Sequence, residues 1–271
     1  MSLVLVVHGG GGSNISTDRK ERMRQGIARA ATEGYNILKE GGSAVDAVEG
    51  AVAVLENDPE FNAGCGSVLN VNGDVEMDAS IMDGKNLSAG AVSAVRCIAN
   101  PIKLARLVME KTPHCFLTGH GAEKFAADMG VPEIPVEKLI TERSKKHLEK
   151  EKQEKGAEKP DCPKNTGTVG AVAMDCNGNL AYATSTGGIV NKMIGRVGDS
   201  PCIGKTAEEA AELALNYMKS KLKGLGGLIL ISKTGDWVAK WTSVSMPWAA
   251  AKDDKLQTGI DFGDTKIVDL P

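Results

Sequence analysis

No apolar run in this 271-residue chain is long enough to span a bilayer. No basic stretch precedes the short run Leu3 to Val7, which is followed at once by His8 and four glycines. That pattern predicts a first strand rather than a secretory leader. Any excess of one charge sign is small, with 32 basic against 35 acidic side chains. A net charge of −3 gives no reason to expect nucleic acid or an acidic membrane as a partner. The six cysteines, Cys65, Cys97, Cys115, Cys162, Cys176 and Cys202, contain no C-x-x-C pair, which argues against a zinc cage. Without an export signal, reduced thiols in the cytoplasm are expected, and the N-x-S sequons at Asn14 and Asn86 read as accidental. There is no internal repeat and no G-x-S-x-G elbow, so a serine esterase built on His8-Gly9-Gly10-Gly11 lacks its nucleophile. Nor does a Gly-Lys-Ser/Thr follow these glycines, as a phosphate loop would require.

What is present alternates between strand and helix signals, in a composition that is 42% hydrophobic. Leu3 to Val7 is apolar at consecutive positions, as in a strand covered on both faces. Ser16-Thr17-Asp18 opens a helix that reaches Glu40 and stops at Gly41-Gly42. Ser43 and Asp46 form a capping box for a second helix, with Val45, Val48, Val52 and Leu55 along one face and Asn57-Asp58-Pro59 at its end. Val68 to Met82 predicts strands around an Asn72-Gly73 hairpin, and Leu87 to Val95 a further strand beyond Asp83-Gly84. Pro101 begins a helix ending near Lys111, and a short helix ends at Met129 before Gly130. Residues 141–166 turn highly charged, as a solvated helix or mobile linker would be. Strands resume over Thr168 to Met174 and Leu180 to Ser185, around Asn177-Gly178. Thr206, with Glu209, caps a helix whose Ala210, Leu213, Ala214 and Tyr217 share a face. Leu228 to Ser232 and Trp237 to Trp241 make a last hairpin. The order predicts an α/β domain with sheet packed on sheet and helices outside.

Thr168 is the residue on which chemistry turns. A threonine hydroxyl is a poor nucleophile without a base, but a chain that begins with threonine carries one in its own α-amine. Such an amine titrates near ~7.7–8.0, so it is available close to neutral pH. The preceding Gly167 tolerates backbone geometries closed to other residues, and strain at the Gly167–Thr168 bond would assist attack by the Thr168 hydroxyl on the Gly167 carbonyl. Hydrolysis of the resulting ester releases the amine. Taken alone, Gly-Thr at a strand entry is an ordinary structural feature. Thr184-Ser185-Thr186-Gly187-Gly188 ends the next strand and brings hydroxyls nearby. Arg196 and Asp199, in Gly195-Arg196-Val197-Gly198-Asp199, offer a bidentate grip for a carboxylate and a counter-charge for an ammonium, or else a surface ion pair with each other. Cys65 is a second nucleophile candidate, with an inert buried thiol as the simpler reading.

The motifs together resemble the plant-type asparaginase and isoaspartyl peptidase family of N-terminal nucleophile hydrolases. They are Val7-His8-Gly9-Gly10-Gly11-Gly12, Gly41 to Val48, Phe61-Asn62-Ala63-Gly64-Cys65-Gly66-Ser67, Gly167 to Ala173 and Ser185-Thr186-Gly187-Gly188, in that order. The resemblance implies a four-layer αββα sandwich in a single catalytic domain. It implies cleavage between Gly167 and Thr168 into an α-chain, 1–167, and a β-chain, 168–271, with dimers of such units. Thr168 would be the nucleophile, Thr186 would support its hydroxyl, and Asn62 would serve self-processing. Arg196 and Asp199 would hold the substrate's α-carboxylate and α-amine. The backbone carbonyls of Leu55, Glu56, Asp58, Phe61, Ala63 and Cys65 would hold a structural sodium ion; no other cofactor is implied. His8 to Gly12 would shape the precursor site. The substrates would be L-asparagine and β-aspartyl dipeptides.

The chain departs from that family after Gly204, where Lys205-Thr206 follows directly. The family carries several tens of residues there, including a core strand and a Thr-Thr-Gly-His-Gly motif that supplies an oxyanion-hole threonine and a glycine touching the substrate. Two expectations follow for the chain: a self-cleaving amidohydrolase, or an uncleaved, inactive shortened homologue.

Overall fold

The first strand shows how the sequence sorts its apolar residues. In β1 (Val4–His8), Leu5 and Val7 join one hydrophobic cluster, while Val4 and Val6 join another on the opposite side. That is the two-residue period of a strand, and all four side chains are fully buried. The structure, a computed structural model, describes residues 2–12, 15–154, 167–198, 200 and 226–270.

β1 lies inside a nine-stranded sheet. The other members are β2 (Met77–Asp83), β3 (Ala89–Val95), β4 (Phe116–Thr118), β5 (Val169–Met174), β6 (Leu180–Thr186), β9 (Trp248–Lys252), β10 (Lys255–Gly259) and β11 (Thr265–Asp269). Their order is β11-β10-β9-β1-β5-β6-β2-β3-β4. All pairs are antiparallel except β3 with β4. β7 (Gly227–Ile231) and β8 (Trp237–Trp241) form a separate two-stranded sheet. Ile229 and Ile231 of that hairpin pack with Val4, Val6, Met174 and Trp248 on one face of the large sheet.

The other face is covered by α1 (Thr17–Lys39), α2 (Ala44–Glu56) and α3 (Pro101–Lys111), with α4 (Gly119–Asp128) beside β3 and β4. The helix signals translate directly. Ser43 and Asp46 make the reciprocal capping box, α3 opens on Pro101, and α1 stops before Gly41 at φ +89°. Among the described residues no helix is long and apolar enough to cross a membrane.

Two expectations need amendment, and a third resolves in part between its alternatives. Residues 68–75 do not form a strand hairpin; Leu69 makes an isolated bridge with Val75, and Asn70 one with Lys192. The Asn70 side chain accepts from the backbone of Asn72 and Asp74, each at 3.0 Å, so the segment curls into a tight turn. The hairpin β7–β8 is not the last element, because β9, β10 and β11 follow and extend the large sheet beyond β1. Of the charged segment, Glu142–Glu154 is a helix, α5. Arg143 ties it down by donating to the carbonyls of Pro59, at 2.5 Å, and Gly66, at 3.3 Å. Residues 155–166 of that segment, the Thr206-capped helix and the Gly204–Lys205 junction lie outside the described residues.

Candidate active site

Thr168 stands immediately before β5, partly buried, at the end of the strand next to β1. β5 and β6 pair with Val169 opposite Ser185, so the same register carried one residue further sets Thr168 opposite Thr186. Among the described residues the Thr168 hydroxyl meets Ser200, Oγ to Oγ1 at 3.3 Å, rather than Thr186. The Thr186 hydroxyl is buried and accepts from the Gly188 N–H at 3.0 Å, which leaves its own proton to be donated. Ser185 is also buried, paired with Val169 in the ladder.

Asn62 brings the first half of the chain to the Gly167–Thr168 bond. Its Nδ2 donates to the Gly167 carbonyl at 2.9 Å and to the Gly188 carbonyl at 2.8 Å. Its Oδ1 accepts from Val68 N at 2.9 Å, and its backbone carbonyl accepts from Gly187 N at 3.0 Å. The amide is therefore fixed in orientation, with both donors on carbonyls at the β6 end. A donor held on the Gly167 carbonyl oxygen polarises that carbonyl and is placed where negative charge would grow on attack by a nucleophile.

The glycine run after β1 closes the other side. Gly10 has φ +90°, and a methyl group built on it would lie 2.5 Å from Gly167 Cα and 2.7 Å from both Gly167 C and Thr168 N. One built on Gly167 would lie 2.5 Å from Gly10 Cα. Two backbones thus touch at a spacing that excludes any side chain. His8 steadies this loop: its Nδ1 accepts from Gly10 N at 3.3 Å. Burial lowers the imidazole pKa to about 4, so the ring is neutral at pH 7 and free to accept.

Asn62 sits in a loop folded tightly on itself. Cys65 N donates to the Glu56 carbonyl at 2.8 Å, and Phe61 N to the Asp58 carbonyl at 3.2 Å. Gly64 and Gly66 take φ +49° and +118°, and a methyl group on Gly66 would lie 2.6 Å from Pro59 O and 2.7 Å from Phe61 O. The backbone oxygens of Pro59 and Phe61 thus face Gly66, and that of Pro59 already accepts from Arg143. The Glu56 side chain points elsewhere. It accepts from Ile102 N at 3.0 Å and Asn100 Nδ2 at 3.1 Å at the start of α3, and burial pushes its carboxyl up to about 7. The Cys65 thiol lies 3.7 Å from the Lys138 carbonyl, and burial raises its pKa, the opposite of what a thiolate nucleophile needs.

Arg196 lies in the turn after β6, half-buried. Methyl groups built on Gly188 and Gly198 would lie 3.3 Å and 3.1 Å from its Nη1, so the guanidinium sits between those two residues. Asp199 lies outside the described residues. The structure therefore gathers Asn62, Gly167, Thr168, Thr186 and Arg196 at one end of β5 and β6. It adds Gly188 and Ser200, which sequence reasoning did not assign to the site, and it sets Gly10, within the run expected to shape the precursor site, against the Gly167–Thr168 bond. Ser200 directly follows Asp199 and Gly188 closes the motif that holds Thr186, so both stood beside residues that drew attention.

The family model for asparaginase matches residues 1–207. The chain is 74% identical to the isoaspartyl peptidase/L-asparaginase of Mus musculus over 308 aligned residues, covering 100% of this chain and 94% of that protein. It is 70% identical to the isoaspartyl peptidase/L-asparaginase of Homo sapiens over 308 residues, covering 100% of both. It is 47% identical to the plant-type L-asparaginase of Pyrococcus abyssi over 215 residues, 74% of this chain and 68% of that protein. An alignment of 308 positions exceeds the 271 residues of this chain, so both mammalian relatives carry residues it lacks. The family match itself ends just past the Gly204–Lys205 junction. By this match and these identities, the chain belongs to the asparaginase family of hydrolases.

Proposed function

We propose that the chain is a self-cleaving amidohydrolase that releases L-aspartate from L-asparagine and from β-aspartyl dipeptides, with Thr168 as its nucleophile. The observation that carries the reading is the Gly167 carbonyl, which accepts the Asn62 amide beside the Thr168 hydroxyl and packs against the Gly10 backbone. In self-processing the Thr168 hydroxyl attacks the Gly167 carbonyl carbon. Charge develops on the oxygen that Asn62 already holds, and the peptide bond becomes an ester. Water cuts the ester and leaves Thr168 with a free α-amine. That amine then takes the hydroxyl proton as Thr168 attacks the side-chain amide of the substrate. A β-aspartyl ester forms, ammonia or an amino acid leaves, and water releases aspartate. Arg196 grips the substrate α-carboxylate, Asp199 holds its α-amine, and Thr186 donates toward the nucleophile.

Self-processing and turnover draw on different donors. Asn62 serves the first. The resemblance puts the oxyanion-hole threonine for the second in the segment absent after Gly204. Loss of one such donor costs about 10²–10³ in rate, so the missing segment should slow turnover by that factor and spare self-processing, which uses Asn62. The whole unit takes the four-layer αββα arrangement, and processed units pair as dimers. The carbonyls of Leu55, Glu56, Asp58, Phe61, Ala63 and Cys65 would hold a sodium ion that keeps the Asn62 loop in shape. The test is Thr168→Ala, assayed for chain integrity and for aspartate release from both substrates. Both activities should vanish; aspartate release by the variant would remove Thr168 from its role.

A further inference from the structure

The charged segment before Gly167 contains a helix that the reaction above leaves unused. In α5, Ser144 and Leu148 are buried, and Arg143, His147 and Glu151 are partly covered. Those positions share one face at the helical period, so α5 lies on the domain along a narrow stripe. Thr141 caps its start, accepting from Ser144 N at 3.1 Å. The stretch leading into α5 runs beside the Asn62 loop. Gly66 N donates to the Leu139 carbonyl at 3.2 Å, and Leu139 is itself buried.

Arg143 crosses from the helix to that loop. One nitrogen, Nη2, donates both to the Pro59 carbonyl at 2.5 Å and to the Gly66 carbonyl at 3.3 Å. Among the described residues Arg143 makes no ion pair: Glu60 is engaged by Arg19 and Arg22, and Asp58 by Arg29. Its partners are therefore carbonyl oxygens, one before Asn62 in the chain and one after it. Neither is among the six expected to hold the sodium ion. Two carbonyl dipoles that aim their negative ends at one place repel each other, and a cationic donor between them offsets that cost.

The stretch between those carbonyls needs such a fastening. Gly64 and Gly66 curl it at φ +49° and +118°, and the freedom that lets glycine adopt these angles makes them costly to hold. The curl also sets the Asn62 amide. Its Oδ1 accepts from Val68 N, just beyond Gly66, while its Nδ2 lies 2.9 Å from the Gly167 carbonyl oxygen. The spacing of the two ends of the loop thus decides where that amide points.

We propose that Arg143 is a positioning residue for self-processing: by bridging the Pro59 and Gly66 carbonyls, its guanidinium holds closed the loop that keeps the Asn62 amide on the Gly167 carbonyl. The inference rests on the reading of Asn62 given above.

The test uses the whole chain. Its readouts are the cleavage rate by intact mass, L-asparagine turnover per processed chain, and thermal unfolding. Arg143→Ala should slow cleavage about tenfold, less than the roughly hundredfold that displacing reacting groups by about 1 Å costs. Turnover per processed chain should stay within about twofold, because Asn62 serves self-processing. Arg143→Lys keeps a cationic donor, and one nitrogen makes both contacts, so it should recover most of the rate. In an Asn62→Asp background Arg143→Ala should add less than about twofold, because it acts through Asn62. An arginine that only supports the fold would lower unfolding temperature, cleavage and turnover together, and would slow cleavage by the same factor in the Asn62→Asp background; that pattern overturns the proposal. Where Arg143→Ala does not fold, Arg143→Met decides, since it keeps the apolar stem and loses only the guanidinium. Cleavage about tenfold slower then supports the proposal, and cleavage at the wild-type rate overturns it. If Asn62→Asp cleaves at the wild-type rate, the reading of Asn62 fails first and takes this inference with it. If Asn62→Asp slows cleavage and Arg143→Ala does not, the present inference alone fails.

Discussion

Gly10→Ala tests the contact between the first glycine run and the Gly167–Thr168 bond. The new methyl group would lie 2.5 Å from Gly167 Cα and 2.7 Å from Gly167 C and Thr168 N. Carbon atoms in ordinary contact stand about 3.5–4.0 Å apart, so one backbone must move by about 1 Å. At φ +90° the alanine adds a backbone penalty of about 1–2 kcal/mol. In a domain of this size that lowers Tm by only about 2–4 °C per kcal/mol. The effect on chemistry is larger, because displacing reacting atoms by about 1 Å costs roughly a hundredfold in rate. Gly263→Ala is the control: it shares a positive φ, +79°, but has open space around the added methyl. The assay is a time course of intact mass for each purified variant, beside its thermal unfolding curve. Both variants should carry the same backbone penalty, Gly10→Ala should lose further stability through its clash, and only Gly10→Ala should cleave about a hundredfold more slowly. Equal cleavage rates in the two would refute the contact as a determinant of self-processing.

Two further outcomes are expected. Asn62→Asp keeps the acceptor for Val68 N but loses the donations to the Gly167 and Gly188 carbonyls. Cleavage followed on gels should slow by about 10²–10³-fold with the circular dichroism spectrum retained; a rate near wild type would remove Asn62 from processing. His8 has a folded-state pKa of about 4 against 6.5 for the free side chain. Below pH 6.5 the unfolded chain takes up a proton the folded chain refuses, so stability falls as pH drops from 6.5 toward 4, by up to about 3 kcal/mol. His8→Asn still offers an acceptor to Gly10 N and does not titrate. Urea unfolding of variant and wild type should converge on acidification, and parallel pH curves would contradict the burial argument.

Local signals were readable wherever one residue settles the local geometry. The Ser43–Asp46 box, Pro101 at the start of α3 and the strand after Thr168 all lie where the sequence puts them. The misses are cases where a distant partner decides. Trp248-Ala249-Ala250-Ala251-Lys252 has the composition of a helix but is a strand, because β1 and β10 pair with both its edges. The turn at 70–74 is set by one asparagine side chain competing with the ladder. At the site, Thr168, Thr186 and Asn62 were legible through motifs, and the structure sets them at one sheet end. Arg143 was not, since a run rich in charge reads as solvated and only the packed structure sets its guanidinium on the Pro59 and Gly66 carbonyls.

The central claim is that Thr168 becomes an amino terminus before it attacks a substrate. Its most direct measurement follows one sample over time, reading the fragment that begins at Thr168 by terminal sequencing and the ammonia released from L-asparagine in parallel. Hydrolysis should rise in proportion to the new threonine terminus and start from zero in the uncut chain. Ammonia release at full rate from chain still joined at Gly167–Thr168 would contradict it.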